Sequence, residues 1–208
     1  MMKEKLLITI IIDNSLALGE DHLASFKSAF QKFLATLRSK DHDHQIMVEL
    51  IAYKDFAPVV VKSFKETNYD ISLIEYGMMP FFDRAMNKAL TDLADEIAMQ
   101  RNEGGIYKPW IVTIVDSKTF DKDFDSLSSL TSMAANKMVT YFPFKTRHTM
   151  SPKFKKVTDV KGFIEIRDYN FTGLFNWLSE MALDRISLPS SENIQLKRDA
   201  FKGWTTLS

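Results

Sequence analysis

The chain of 208 residues carries 27 basic and 27 acidic side chains, a formal charge of zero that gives no general pull toward nucleic acid or an anionic membrane. It holds no cysteine, which excludes disulfides, thiolate metal sites and a cysteine nucleophile. A hydrophobic fraction of 45% suits a packed core, and with no Pro/Gly/Ser-rich linker the length fits one generous α/β domain.

The first element is the apolar strand Leu6-Leu7-Ile8-Thr9-Ile10-Ile11-Ile12, closed by Asp13-Asn14-Ser15. Met1-Met2-Lys3-Glu4-Lys5 before it has the outline of a signal peptide, but the run is short, stops at Asp13 and reads as a core strand. Gly19-Glu20-Asp21 then places acids in the first turn of a helix, where the helix dipole favours them. Leu23, Phe26, Phe30, Phe33, Leu34 and Leu37 recur at helical spacing as its apolar face. Gln45 to Tyr53 and Ala57 to Phe64 are strand-like, and a connection as short as Lys54-Asp55-Phe56 requires an antiparallel hairpin. A second helix is expected from Pro80, with Phe82, Met86, Ala89, Leu90, Leu93 and Ile97 as its buried stripe, ended by the loop Arg101 to Gly105.

Trp110 to Val115 repeats the design of the first strand and ends in Asp116-Ser117. A helix near Phe124 to Asn136 follows, then a strand from Lys137 to Phe144, a short helix after Ser151-Pro152, and an edge strand from Gly162 to Arg167. Phe171, Leu174, Phe175, Leu178 and Met181 mark the last strong helix, and residues from Leu188 onward read as irregular. The order predicts a doubly wound three-layer α/β/α fold whose six-stranded sheet is mostly parallel with one antiparallel edge strand. Residues 1–187 form the expected domain and 188–208 a carboxyl-terminal tail. No stretch approaches the roughly 20 apolar residues that span a bilayer, so a soluble, cytoplasmic protein is expected.

Fully apolar strands belong in the middle of a parallel sheet, and their carboxyl ends open onto the crevice where α/β proteins bind ligands. Two Asp-Ser turns at that edge therefore point to one site. The first turn has no glycine fingerprint, and no Gly-rich phosphate loop appears elsewhere, which argues against a dinucleotide-binding domain.

With these turns, the hairpin Val48 to Val61, the segment Tyr76-Gly77-Met78-Met79-Pro80-Phe81-Phe82-Asp83-Arg84-Ala85-Met86 and the closing Asp168 to Ser179, residues 4–187 resemble a von Willebrand factor type A (vWA) domain. Within that superfamily the chain looks most like bacterial vWA proteins of tellurium-resistance-type loci, which implies a stress or defence role with kinase-like or phosphatase-like partners. The resemblance implies a metal-ion-dependent adhesion site built from Asp-x-Ser-x-Ser, a Thr and a further Asp, holding Mg²⁺ against an acidic group of a partner. Asp13, Ser15 and Asp116 match that pattern, but Ala17 stands at the second serine and Met79 at the threonine. Alanine donates nothing and a thioether is a poor ligand for Mg²⁺, so the site is degenerate and weak or absent metal binding is expected.

Asp13 and Asp116 equally suit turn starts and helix caps retained by the fold alone. Met78 and Met79 suit an adaptable contact with a protein partner, while one or both of Phe81 and Phe82 are expected in the core. Asp41-His42-Asp43-His44 reads as a polar connection rather than a transition-metal site, and His22 and His148 have no triad context. The leading expectation is a non-catalytic protein-interaction module whose contact surface includes Asn14, Ala17, Met78, Met79 and Ser117. The alternatives are a Mg²⁺-assisted phosphoester hydrolase using Asp13 or Asp116, and a self-associating subunit whose tail, with Phe201 and Trp204, docks on a neighbour.

Overall fold

The computed structural model describes residues 4–14, 18–54, 57–65, 68–75, 82–115, 125–146, 164–189 and 205–207. Strand β1 (Leu6–Ile12) is buried along its whole length, as is β4 (Trp110–Val115) beside it. β2 (Ile46–Lys54) lies parallel to β1 on the other side, and β3 (Ala57–Lys62) returns antiparallel from it as the expected hairpin. β5 (Thr140–Lys145) and β6 (Ile164–Ile166) continue the parallel sheet beyond β4.

The six expected strands are therefore present, in the order β3-β2-β1-β4-β5-β6, and a seventh adds to them. β7 (Thr205–Leu207) pairs antiparallel with β6. Two expectations are corrected by it: β6 is not the edge, and the tail is not irregular throughout. β5 also starts later than expected. Helix α3 (Asp125–Ala135) ends in a left-handed residue, Lys137 with φ 58°, whose N–H donates to Ala134 O while Met138 N–H reaches back to Met133 O. That paired closure occupies the residues just before Thr140.

Helix α1 (Glu20–Lys40) and helix α4 (Phe171–Ser187) cover one face of the sheet, packed on Leu6, Ile8, Ile10 and Ile12. Helix α2 (Phe82–Glu103) and α3 cover the other, on Leu7, Ile11, Ile111 and Val115. The alternation of β1 side chains between the two helical layers explains why its sequence shows no polar face. All six apolar positions expected on α1 are buried, as are the five on α4. Phe26 meets Phe171 and Phe175 edge-on at 5.4 and 5.5 Å between ring centres, so the two helices share an aromatic seam. On α2, Phe82, Met86, Ala89 and Leu93 are buried and Leu90 and Ile97 partly so. The helix continues through Arg101 to Glu103, which the sequence placed in a loop, and ends where Gly105, at φ 95°, donates its N–H to Gln100 O. Pro80 and the short helix expected after Ser151-Pro152 lie outside the described residues. Among the described residues, no helix is long and apolar enough to cross a membrane.

Candidate functional site

β1 sits between β2 and β4, so the chain leaves it for one side of the sheet and later returns on the other. Such a switch point leaves a crevice outside the carboxyl ends of the two strands. Ile12 pairs with Ile114, and the Asp13 N–H donates to the Ile114 carbonyl at 2.8 Å. Asp13 and Asn14 are both buried. The end of β4 at Val115, the residue before Asp116, thus lies beside the end of β1. Ser15, Ala17, Met78, Met79, Asp116 and Ser117 fall outside the described residues, so only the roots of their loops are described.

Those roots are tied to one another. The Asn14 side-chain amide donates to the carbonyl of Glu75, where the chain leaves for Tyr76 to Phe81. Glu75 follows a short 3-10 turn, Ile71–Leu73, whose start is held by Asp70 accepting from Ser72 N–H at 2.9 Å. On the far side of that loop Phe82 is fully buried, which meets the expectation that at least one ring of the Phe81-Phe82 pair enters the core. Asp83 then accepts from the Ser126 N–H at 2.9 Å and from its hydroxyl at 3.2 Å. This joins the first turn of α2 to the first turn of α3. Asp83 and Glu75 were not singled out in the sequence. The Asp83–Ser126 bond spans 43 positions, beyond any local pattern.

The carboxyl edge extends past β1 on both sides. His22 in the first turn of α1 stacks on Tyr169 at 3.6 Å, at the end of β6, where Asp168 and Tyr169 take φ values of 49° and 53°. Asn170 caps α4 there, its side chain accepting from Gly173 N–H at 2.9 Å. A cleft of about 290 Å³ opens between α1 and Glu75, lined by Glu20, Leu23, Ala24, Lys27 and Ile74.

Beneath α2, away from this edge, Thr9, Glu49 and Thr113 are buried polar side chains. Thr9 donates to Glu49 Oε2 at 3.2 Å, and Lys88 pairs with Asp92 on the helix above. Burial first, and then the Asp92 carboxylate beside it, push the Glu49 carboxyl up to about 8. Thr113 and Tyr141 are in contact at 3.0 Å, and burial raises the Tyr141 phenol.

Among the described residues, no group of three or more His, Asp or Glu side chains is placed to hold a metal ion. Of the expected ligands only Asp13 is described. Asp41, in the polar connection, is buried and spends its carboxylate on the N–H groups of Gln45 and Ile46 at 2.9 and 2.7 Å, which fixes the start of β2.

No family model matches the chain, and no curated protein matches it in sequence. Solved structures do match. Proximal thread matrix protein 1 from the mussel byssus superposes with a TM-score of 0.61 at 8% identity, over 88% of this chain and 47% of that one. A von Willebrand factor type A protein from Catenulispora acidiphila gives 0.58 at 13% identity, over 86% of this chain and 43% of that one. The vWA domain of SpRpn10 gives 0.55 at 14% identity, over 92% of this chain and 99% of that one. The chain spans less than half the length of the first two and nearly all of the third. The fold is that of a vWA domain.

Proposed function

We propose that the chain is a cytoplasmic, non-catalytic interaction module that takes a protein partner at the carboxyl edge of its sheet. The observation that carries this reading is the bracing of the loop roots at the switch point, by Asn14 on Glu75 and by Asp83 on Ser126. Loops held at their roots by a rigid sheet are suited to present a fixed contact surface. The side chains we assign to that surface are Asn14, Ala17, Met78, Met79 and Ser117, with Asp13, Ser15 and Asp116 as a degenerate metal set. The loss of oxygen donors at Ala17 and Met79 makes recognition independent of Mg²⁺ or only weakly assisted by it. The Tyr76 to Met86 and Asp168 to Ser179 segments support the tellurium-resistance-type branch, and with it a kinase-like or phosphatase-like partner.

A photo-reactive amino acid placed at Met79 or Ser117 tests the surface in extracts of the native cell. A discrete protein adduct at these positions, absent when the probe sits at exposed Lys32 on α1, is the expected result. Equal labelling at all three positions, or none, overturns the reading. Turnover on a phosphoester panel that disappears in Asp13→Ala would instead establish the hydrolase.

A further inference from the structure

At the opposite end of the sheet β3 stops at Lys62, which pairs with Leu50, so the amino half of β2 has no partner strand on that side among the described residues. The gap it leaves is a cavity of about 420 Å³ between α1, the start of β2 and the chain after β3. Its apolar wall comes from Leu34, Leu37, Ile46, Met47, Val48 and Phe64. Lys5, Arg38, Lys62 and Lys65 line it as well, with His44. Asp41 is the one carboxylate of the lining among the described residues, and both its oxygens are engaged by backbone N–H groups. The described lining thus carries four formal positive charges against one negative, with Lys5 Nζ donating to His44 O at 2.7 Å and Lys65 Nζ to Met99 Sδ at 3.1 Å. Low-dielectric walls focus such a field into a concave site.

Two occupants suit an open strand edge, and the contacts separate them. An added peptide strand would need the outward backbone groups of β2. Lys62, itself buried, donates its ammonium to Val48 O at 2.8 Å, and Asp41 already takes the Ile46 N–H. A side chain thus takes one backbone group at each of these residues, which disfavours strand addition. The volume lies within the range of small-molecule sites, and its lining is the usual one, apolar walls with a few polar groups.

We infer that this cavity is a ligand site for a small molecule with an anionic head on an apolar body, held by the Lys5, Arg38, Lys62 and Lys65 cluster over the Leu34–Leu37–Phe64 wall. It lies roughly 20 Å from the carboxyl edge, the length of the seven-residue β1. The inference therefore stands apart from the proposed partner surface.

Decanoate is the probe, titrated into the full chain by nuclear magnetic resonance, with decanol as the uncharged control. Amide shifts are expected at Leu37, Ile46 to Val48 and Phe64, and not at Asn14 or Ser126. Loss of one charged contact weakens a complex by about tenfold, so Arg38→Gln should show about that loss, and decanol and the charge-reversing Lys65→Glu at exposed Lys65 at least as much. Lys62→Met should do the same if it folds, and the two exposed substitutions decide the matter if it does not. No decanoate binding overturns the site. So do decanol matching decanoate, unchanged affinity in Arg38→Gln and Lys65→Glu, and shifts at the carboxyl edge instead.

Discussion

Asp83 and Ser126 sit in the first turns of different helices, and one carboxylate takes both the N–H and the hydroxyl of the serine. A carboxylate on a helix-start N–H is a charge-assisted cap, here supplied from another helix. Asp83→Ala should lower unfolding free energy by about 1–2 kcal/mol in urea titration. Ser126→Ala keeps the backbone bond and should cost about 0.5–1 kcal/mol. The double variant should lose less than the sum of the two, since they share one interaction. Strict additivity would mean that the hydroxyl contact contributes nothing.

Glu49 gives the fold an unusual pH dependence. Its carboxyl titrates at about 8 in the folded chain against an ordinary 4.5, because burial and then Asp92 oppose its charge. Between those values the folded state holds a proton that the unfolded chain has released. Its contribution is therefore fully present below about pH 4.5, falls as pH rises, and levels off above about pH 8. Inside the window the slope is about 1.4 kcal/mol per pH unit. Glu49→Gln removes the titration, so the stability of the variant relative to the native chain should climb across this range. A flat difference in urea midpoints from about pH 5 to about pH 8 would refute it.

The central sheet was legible because its physics is local. Ile8 to Ile12 and Ile111 to Val115 face helices on both sides, and only near-continuous apolar runs satisfy that. The hairpin followed from a connection too short for anything else. Thr205-Thr206-Leu207 could not be found this way. Three residues carry no period, and their partner Ile164–Ile166 lies some 40 positions earlier. Glu49 had no signal either, since a lone acid in a strand ordinarily faces water. Its burial depends on α2 being laid over β2, a tertiary fact. The same applies to the candidate site. Asp13 at the end of an apolar strand was readable, whereas the Asn14–Glu75 and Asp83–Ser126 bonds join segments that only the folded sheet brings together.

Metal dependence separates a degenerate site from an intact one. A binder adds stability as RT ln(1 + [L]/Kd), so ~10 mM Mg²⁺ acting on a site no tighter than that adds at most ~0.4 kcal/mol. Thermal unfolding of the native chain should shift little with Mg²⁺ or Mn²⁺, and Asp13→Ala should respond alike. Restoring the donors in an Ala17→Ser, Met79→Thr double variant should produce a metal-dependent rise that Asp13→Ala then removes. A large shift in the native chain that Asp13→Ala abolishes would contradict the metal-independent reading.

β7 makes the last testable claim. β6 has three residues; it pairs with β5 through Ile164 and Glu165 and with β7 through all three. Beside this junction Lys145 and Glu165 approach to 3.7 Å with about a tenth of each side chain exposed. Ending the chain at Trp204 removes the outer ladder. The loss of a few ladder bonds should cost about 1–3 kcal/mol. Hydrogen exchange should quicken at Ile164 to Ile166 while Ile10, in the central strand, stays protected. The tail end packs on its own sheet, so light scattering should give the same assembly state before and after truncation. An assembly that dissociates when Thr205–Leu207 are removed would show that these residues serve a neighbouring copy instead.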